Sequence, residues 1–364
     1  MGRFAFVDFV FHTNRCNFRL MSTKNAYRLH RVGLALVLLA SVVFVTACPK
    51  NDDRPTSARV KAVSPQSTPS PIVPAAVAFN GERAMDHVRK QIDLGPRVSA
   101  SPELAKTREY IIGLLKGYGL KVRADDFTAK TPVGDKSMVN ITAELSGESK
   151  DVIIISSHYE TKFFKDMQFV GANDPASSVA TLLEIARVMA TGEFKPKMTY
   201  WFVFFDGEEA FCRDWDECSK PDAPDNTYGS RHFVAQLQKQ NELERVRAMI
   251  LLDLMGYKNL ELGRDTLSTR WLQDIIWTAG RGLGHRKVFL DRDEGVGGDD
   301  HEPFLQAGVP AVDIIQLNGY PHWHRADDTL DKVSARSMKI VGETVLASLP
   351  KIEEYLQKDK AIGK

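Results

Sequence analysis

The stretch Thr199-Tyr200-Trp201-Phe202-Val203-Phe204-Phe205-Asp206-Gly207-Glu208-Glu209-Ala210-Phe211 decides the fold. Residues 201–205 are an unbroken run of large apolar and β-branched side chains, too short for an ordinary helix and too uniformly apolar for a strand with one wet face. They predict a strand buried on both sides. Asp206-Gly207 stops it, and the adjacent carboxylates Glu208 and Glu209 are delivered to the mouth of a sheet, where open α/β folds place their ligands. A lone Glu-Glu pair is ordinarily a solvated loop feature, so its meaning depends on what the rest of the chain brings to the same place.

Upstream, residues 152–156 read as a second buried strand that runs into Ser157-His158-Tyr159-Glu160. Gly171-Ala172-Asn173-Asp174-Pro175 then opens an apolar helix over 176–190, so the order strand, helix, strand predicts a parallel sheet with a crossover helix. Two helices, 79–94 and 101–119, and a hairpin of strands 120–129 and 137–145 around Thr131-Pro132-Val133-Gly134 come earlier. Downstream, a helix opens at Tyr228, a strand over 248–254 carries Leu252-Asp253-Leu254, an amphipathic helix covers 269–280, and a last strand, 311–317, precedes a closing helix over 334–349. The run Gly295-Val296-Gly297-Gly298 is not expected between a strand and a helix, which argues against a phosphate loop. No internal repeat is visible. The expected class is α/β: a single globular domain with a central mixed, mostly parallel sheet flanked by helices.

Length and composition allow two domains or one such unit. The chain has 364 residues, 43% hydrophobic and 26% charged, and 48 basic against 47 acidic residues give a net charge of +1. Nothing global draws it to nucleic acid or to an anionic membrane. Residues 32–47 are almost entirely apolar, follow Arg28, His30 and Arg31, and end in Val45-Thr46-Ala47-Cys48. This core is shorter than the roughly 20 residues of a spanning helix, so it reads as an export signal. The small residues before Cys48 resemble a bacterial lipobox, implying cleavage and lipidation at Cys48; a signal anchor is the alternative. Met21 would be a more usual start than Met1, leaving Cys16 outside the protein. The expected organisation is a signal over 1–47, a lipidated Pro/Ser-rich tether over 48–76, a catalytic domain over 77–358 and a polar tail over 359–364. The protein would be an exported lipoprotein facing the periplasm or cell exterior, monomeric, with membrane contact only through its lipid. In that compartment Cys212 and Cys218 are expected to pair, the alternatives being free thiols or a metal clip.

Carboxylates or imidazoles follow four strand-like segments (His158, Glu208 with Glu209, Asp253, and His322 with His324), and Asp174 starts a helix. In a parallel sheet such positions converge at one edge. Histidine, aspartate and glutamate together suit zinc, and a catalytic zinc keeps three protein ligands and one open position.

With these residues in view the chain resembles the M28 zinc exopeptidases and, within them, the glutaminyl cyclases. The resemblance runs from Leu94-Gly95-Pro96-Arg97 through His158-Tyr159-Glu160, Asn173-Asp174, Asp206-Gly207-Glu208-Glu209-Ala210-Phe211, Tyr228-Gly229-Ser230-Arg231, Leu252-Asp253-Leu254 and Asp299-Asp300-His301 to Trp323-His324. It implies that Asp174, Glu209 and His324 bind a catalytic zinc and that Glu208 transfers the proton. His158 and Asp253 match a second metal position in the aminopeptidases, so one zinc or two are allowed. Asp253 and Asp299 would support the proton network, and Trp323 would wall the substrate pocket; packed in the core is the alternative for that tryptophan. The substrates implied are peptide or protein N-termini, and the reaction is conversion of N-terminal glutamine to pyroglutamate.

The sequence also departs from that pattern. His158-Tyr159-Glu160 replaces the usual His-x-Asp, so the carboxylate expected to orient the imidazole is one methylene longer. Asp313 stands where the animal cyclases have histidine, and Gly298 where they have glutamine. The bond after the matching aspartate is often cis in this family, and Pro175 makes that accessible. Two other readings stand beside the cyclase: a zinc aminopeptidase of the same fold, and a non-catalytic binding domain.

Overall fold

A computed structural model describes residues 78–362. The expected signal segment, Cys16, Cys48, the tether to residue 76 and the last two residues of the tail lie outside the described residues.

Helix α1 (Gly81–Ile92) is capped by Asn80, whose side chain accepts from the Glu82 and Arg83 N–H groups at 3.0 and 3.1 Å. Ser101 caps α2 (Pro102–Gly117) in the same way, with proline in the first turn where its missing donor costs nothing. Strands β1 (Lys121–Thr131) and β2 (Gly134–Leu145) form the expected hairpin, pairing Thr131 with Gly134 across the turn. Next come β3 (Ser149–His158), α3 (Ala176–Thr191) and β4 (Met198–Phe205). The rest of the chain gives α4 (Tyr228–Lys239), β5 (Val246–Leu252), β6 (Leu262–Asp265), α5 (Arg270–Gly282), β7 (Phe289–Glu294), α6 (Glu302–Gln306), β8 (Ala311–Ile314) and α7 (Ala335–Ile362).

The main sheet has the order β1-β2-β4-β3-β5-β8. Strands β4, β3, β5 and β8 run parallel, and β2 is antiparallel to both of its neighbours, so the sheet is mixed and mostly parallel. All of β4 is buried, as its uniform apolar run requires. Its side chains alternate: Tyr200, Phe202 and Phe204 enter a core shared with α1, α3, α5 and α7, while Trp201, Val203 and Phe205 meet Phe233, Val234 and Leu237 of α4 and Phe304 of α6. Burying each phenylalanine or valine here stabilises the fold by roughly 1.5–3 kcal/mol.

Three features differ from the sequence expectation. Strands β6 and β7 form a small parallel sheet of their own. β7 reads Phe-Leu-Asp-Arg-Asp-Glu and lacks an apolar alternation; its aspartates instead meet Arg264 and Arg270 at 3.2 and 2.8 Å. Residues 295–298 therefore do lie between a strand and a helix, but α6 is five residues long and the run faces buried carboxylates, which would repel phosphate. Finally, α7 continues through Pro350 instead of ending at Leu349, and residues 359–362 of the expected polar tail are helical. The apolar stripe explains this: Val345, Leu349, Ile352 and Leu356 stay in one core, so packing outweighs the backbone donor that Pro350 lacks. Beyond them Lys360 reaches Asp151 at 2.8 Å.

Candidate metal centre

The parallel strands deliver their functional residues at one edge. His158 ends β3, Glu208 and Glu209 follow β4 after a two-residue turn, Asp253 follows β5, and Asp174 stands two residues before α3. The turn after β4 needs glycine, because Gly207 has φ 79° and a Cβ there would lie 2.6 Å from Met138 Sδ. Gly171, with φ 53°, packs against the Asp174 carbonyl oxygen, which a Cβ would strike at 1.8 Å. The Asp174-Pro175 bond is cis, as expected. Leu254 and His324 take the left-handed conformation, at φ 46° and 53°, which costs a non-glycine residue roughly 1–2 kcal/mol; both line the site, where surrounding structure commonly holds such residues.

Asp174, Glu209 and His324 each offer a ligand atom within 4.8 Å of the others. His324 Nε2 lies 2.9 Å from Glu209 Oε1 and 3.5 Å from Asp174 Oδ2. His158, Asp174 and Asp253 form a second such group, with His158 Nε2 at 3.2 Å from Asp174 Oδ1 and 3.3 Å from Asp253 Oδ1. Two donor sets thus share Asp174. Their chemistry, imidazole with carboxylates, fits zinc, and Glu209 Oε2 and His158 Nδ1 are buried without a hydrogen-bond partner among the described residues. Glu208 lies outside the first set, its Oε2 3.8 Å from His158 Nδ1.

The supporting contacts correct one expectation. Glu160 Oε1 is 3.7 Å from His158 Nδ1, too far for a hydrogen bond. It accepts instead from the Glu208 and Glu209 N–H groups at 2.6 and 3.1 Å. The extra methylene carries the carboxylate past the imidazole to the backbone of the Glu-Glu turn, which it pins. Asp328 does the same for the other side of the centre, accepting from the N–H groups of Asn173 and Asp174 at 2.9 and 3.1 Å and from the Tyr320 hydroxyl at 2.6 Å. Buried Lys162 donates to the carbonyls of Ala210 and Cys212 and lies 3.5 Å from Glu209 Oε2.

Burial and crowding set the protonation. Burial, then the neighbouring Glu209 charge, pushes the Glu208 carboxyl well above the usual carboxylate range. Burial also opposes ionisation of Glu209, but the His324 imidazolium and the Lys162 ammonium outweigh it and hold that carboxyl down to about 2. Burial and the Asp253 charge push Asp299 up to about 7. Adjacent carboxylates of opposite preference are what a site needs if one is to hold a cation and the other to move a proton.

A cavity of about 330 Å³ opens over these groups, with Asp174, Glu208, Glu209, Asp253, Asp299 and His324 in its lining. Trp323 also lines it; this residue is 42% exposed and stacked on His324 at 4.1 Å, a pocket wall and not a core residue. His322 is not brought in: it pairs with Asp327 at 2.7 Å. Cys212 and Cys218 form a disulfide, and the loop it closes carries Arg213, Asp214, Trp215 and Asp216 to the cavity. The sequence reading missed these four. A tryptophan within an otherwise polar loop was the available signal for Trp215. Asp328 had none, since Arg325-Ala326-Asp327-Asp328 reads as a solvated run.

Comparison with known proteins fits this geometry. The model of peptidase family M28 matches residues 140–349, which span every centre residue named above. The glutaminyl-peptide cyclotransferase of Drosophila melanogaster is 31% identical over 275 residues, covering 66% of this chain and 73% of that protein. Among solved structures, a glutaminyl cyclase from an Acidobacteriales bacterium aligns with a TM-score of 0.72 at 35% identity over 80% of this chain and 99% of its own. A Zn-dependent exopeptidase from Parabacteroides distasonis aligns with a TM-score of 0.69 at 25% identity, covering 75% and 99%. With the matched segment holding the strands that carry the ligand sets, the chain belongs to peptidase family M28.

Proposed function

We propose that the protein is a zinc-dependent glutaminyl-peptide cyclotransferase, closing the N-terminal glutamine of a peptide to pyroglutamate with release of ammonia. The observation that carries this reading is the position of Glu208: buried in the cavity wall, beside but outside the Asp174, Glu209 and His324 set, with a carboxylate free to take and return a proton. A zinc ion held by those three would supply Lewis acidity toward the side-chain carbonyl of the substrate glutamine. Glu208 would take a proton from the α-amine as its nitrogen bonds to the side-chain carbonyl carbon, and return it to the amide nitrogen as that C–N bond breaks. Ammonia leaves and the lactam remains. Asp253 and Asp299 line the same cavity and would keep Glu208 poised by their charge and hydrogen bonding. Trp323 would cover the ring and exclude water.

A second reading, aminopeptidase cleavage, is favoured by the His158, Asp174 and Asp253 group, which could hold a second ion. The mass of the product separates the two. Incubation of a peptide beginning with glutamine should lower its mass by one ammonia; loss of the whole first residue would establish the peptidase, and an unchanged mass with zinc supplied would reject both. A disulfide such as Cys212–Cys218 persists best in an oxidising compartment. It supports export, and with it the reading of residues 1–47 as a signal cleaved before a lipidated Cys48.

A further inference from the structure

We propose that the disulfide-closed loop, residues 212–218, is the subsite for the peptide residues that follow the N-terminal glutamine, and that it favours cationic ones. The inference rests on the cyclase reading and names its substrate class. Among the residues that line the cavity, the exposed charged ones are Arg213, Asp214 and Asp216, all from this loop. The buried carboxylates and Glu209 Oε2, which lacks a hydrogen-bond partner, lie at the floor. Apart from His324 at the ligand set, the other exposed or half-exposed wall, Val296, Gly297, Gly298, Leu317 and Trp323, carries no charge. A glutamine side chain that reaches the floor leaves its following residues at the mouth, where the exposed charged groups of the lining are those of the loop.

The loop is also built to hold its shape. The Arg213 N–H donates to Glu217 Oε2 at 2.8 Å, the Glu217 N–H to the Asp214 carbonyl at 3.1 Å, and the Ser219 hydroxyl to the Trp215 carbonyl. At its root, Asp225 accepts from the Phe211 and Cys212 N–H groups at 3.2 and 2.9 Å. These bonds engage the backbone and Glu217. The side chains of Arg213, Asp214 and Asp216 form no ion pair among the described residues. At the cavity one cation thus stands against two carboxylates on a fixed loop, with Glu217 adding a third negative charge behind them, an arrangement that attracts a lysine or arginine and repels an acidic residue.

The test compares Gln-Lys-Ala and Gln-Glu-Ala peptides, by ammonia release with the zinc-loaded enzyme and by calorimetric binding to its Glu208→Gln variant. At low ionic strength the lysine peptide should lead by about fivefold in both measurements, the scale of exposed ion pairs, and less in high salt. Asp214→Asn with Asp216→Asn should bring the ratio to about one, and Asp214→Lys with Asp216→Lys should invert it. Equal values for the two peptides in the unaltered loop, or a ratio that these variants leave unchanged, overturn the subsite. Charge preference in binding without ammonia release would sink the cyclase reading and keep the subsite; ammonia release without preference would do the reverse; absence of both removes both.

Discussion

Asp174 presents its two carboxylate oxygens to two different histidines: Oδ1 is 3.2 Å from His158 Nε2, and Oδ2 is 3.5 Å from His324 Nε2. The shared aspartate makes the two donor sets separable by mutation. His324→Ala removes a ligand of the Asp174, Glu209 and His324 set. Zinc affinity should fall by more than the roughly 10–100-fold that loss of an outer hydrogen-bond partner costs, and activity with it. His158→Ala leaves that set whole, so one ion per chain should survive dialysis. Elemental analysis of the dialysed variants decides the matter; zinc retained by His324→Ala but lost from His158→Ala would move the centre to the other group.

Glu208 is buried close to both sets yet belongs to the wall of the cavity and not to the first set. Replacing its carboxylate by an amide of the same shape removes the proton carrier and keeps the volume. Glu208→Gln should therefore lower kcat by roughly 10²–10⁴-fold with zinc content unchanged and peptide affinity largely kept. Wild-type turnover in that variant would reject Glu208 as the base.

Asp206 gives a prediction about stability. It accepts from the Ser99 hydroxyl at 2.5 Å and the Val139 N–H at 3.0 Å. Burial, then the Glu160 charge, pushes its carboxyl up to about 7 from the usual 3.8. Because the folded value is the higher one, the native state binds this proton more tightly than the unfolded chain between about pH 3.8 and 7. The contribution is fully present below the unfolded value and is lost as pH rises through the folded one. The stability advantage of the wild type over Asp206→Asn should thus shrink from pH 4.5 to 7.5, by up to about 1.4 kcal/mol per pH unit. Urea unfolding of both proteins at several pH values measures it, and a difference that is flat or grows with pH contradicts the assignment.

How much of this was legible in the sequence follows from which residues signal their surroundings. The run 201–205 has no charged side chain to put in water, so burial on both faces was expected, and with it the sheet edge at which Glu208 and Glu209 emerge; its one polar atom, the Trp201 indole N–H, donates to Glu144. His158, Asp174, Asp253 and His324 could be placed near that edge because each follows or precedes a recognisable element. What could not be read was held by contacts rather than by patterns. Glu160 was expected to orient His158, but its extra methylene lets it reach two backbone N–H groups instead. Lys162 and Asp328 look like ordinary surface charges in the sequence and are buried by the tertiary structure, at 1% and 0% exposure. The β7 segment pairs through charged side chains, and α7 continues past Pro350 because Ile352 and Leu356 pack behind it; neither appears as hydrophobic periodicity over a short window.

The Cys212–Cys218 bond closes a short loop whose inner residues line the cavity while its ends stand clear of the ligand sets. Opening it should affect two quantities differently. Chain-entropy reasoning for a loop of this size gives a loss of about 2 kcal/mol in stability. Asp225 still holds the N–H groups of Phe211 and Cys212, and Glu160 those of Glu208 and Glu209, so the Glu-Glu turn keeps its geometry when the loop loosens. Among the described residues the wall at 213–216 has no such second anchor to the sheet. Loss of order there is lost on peptide binding before it is felt at the reacting atoms, so Cys212→Ser with Cys218→Ser, or reduction of the wild type, should raise KM several-fold and change kcat less. Michaelis curves with and without a reductant distinguish this from the opposite case. A collapse of kcat at constant KM would mean that the loop supports Glu208 and Glu209 directly, through the Lys162 contacts to Ala210, Cys212 and Glu209.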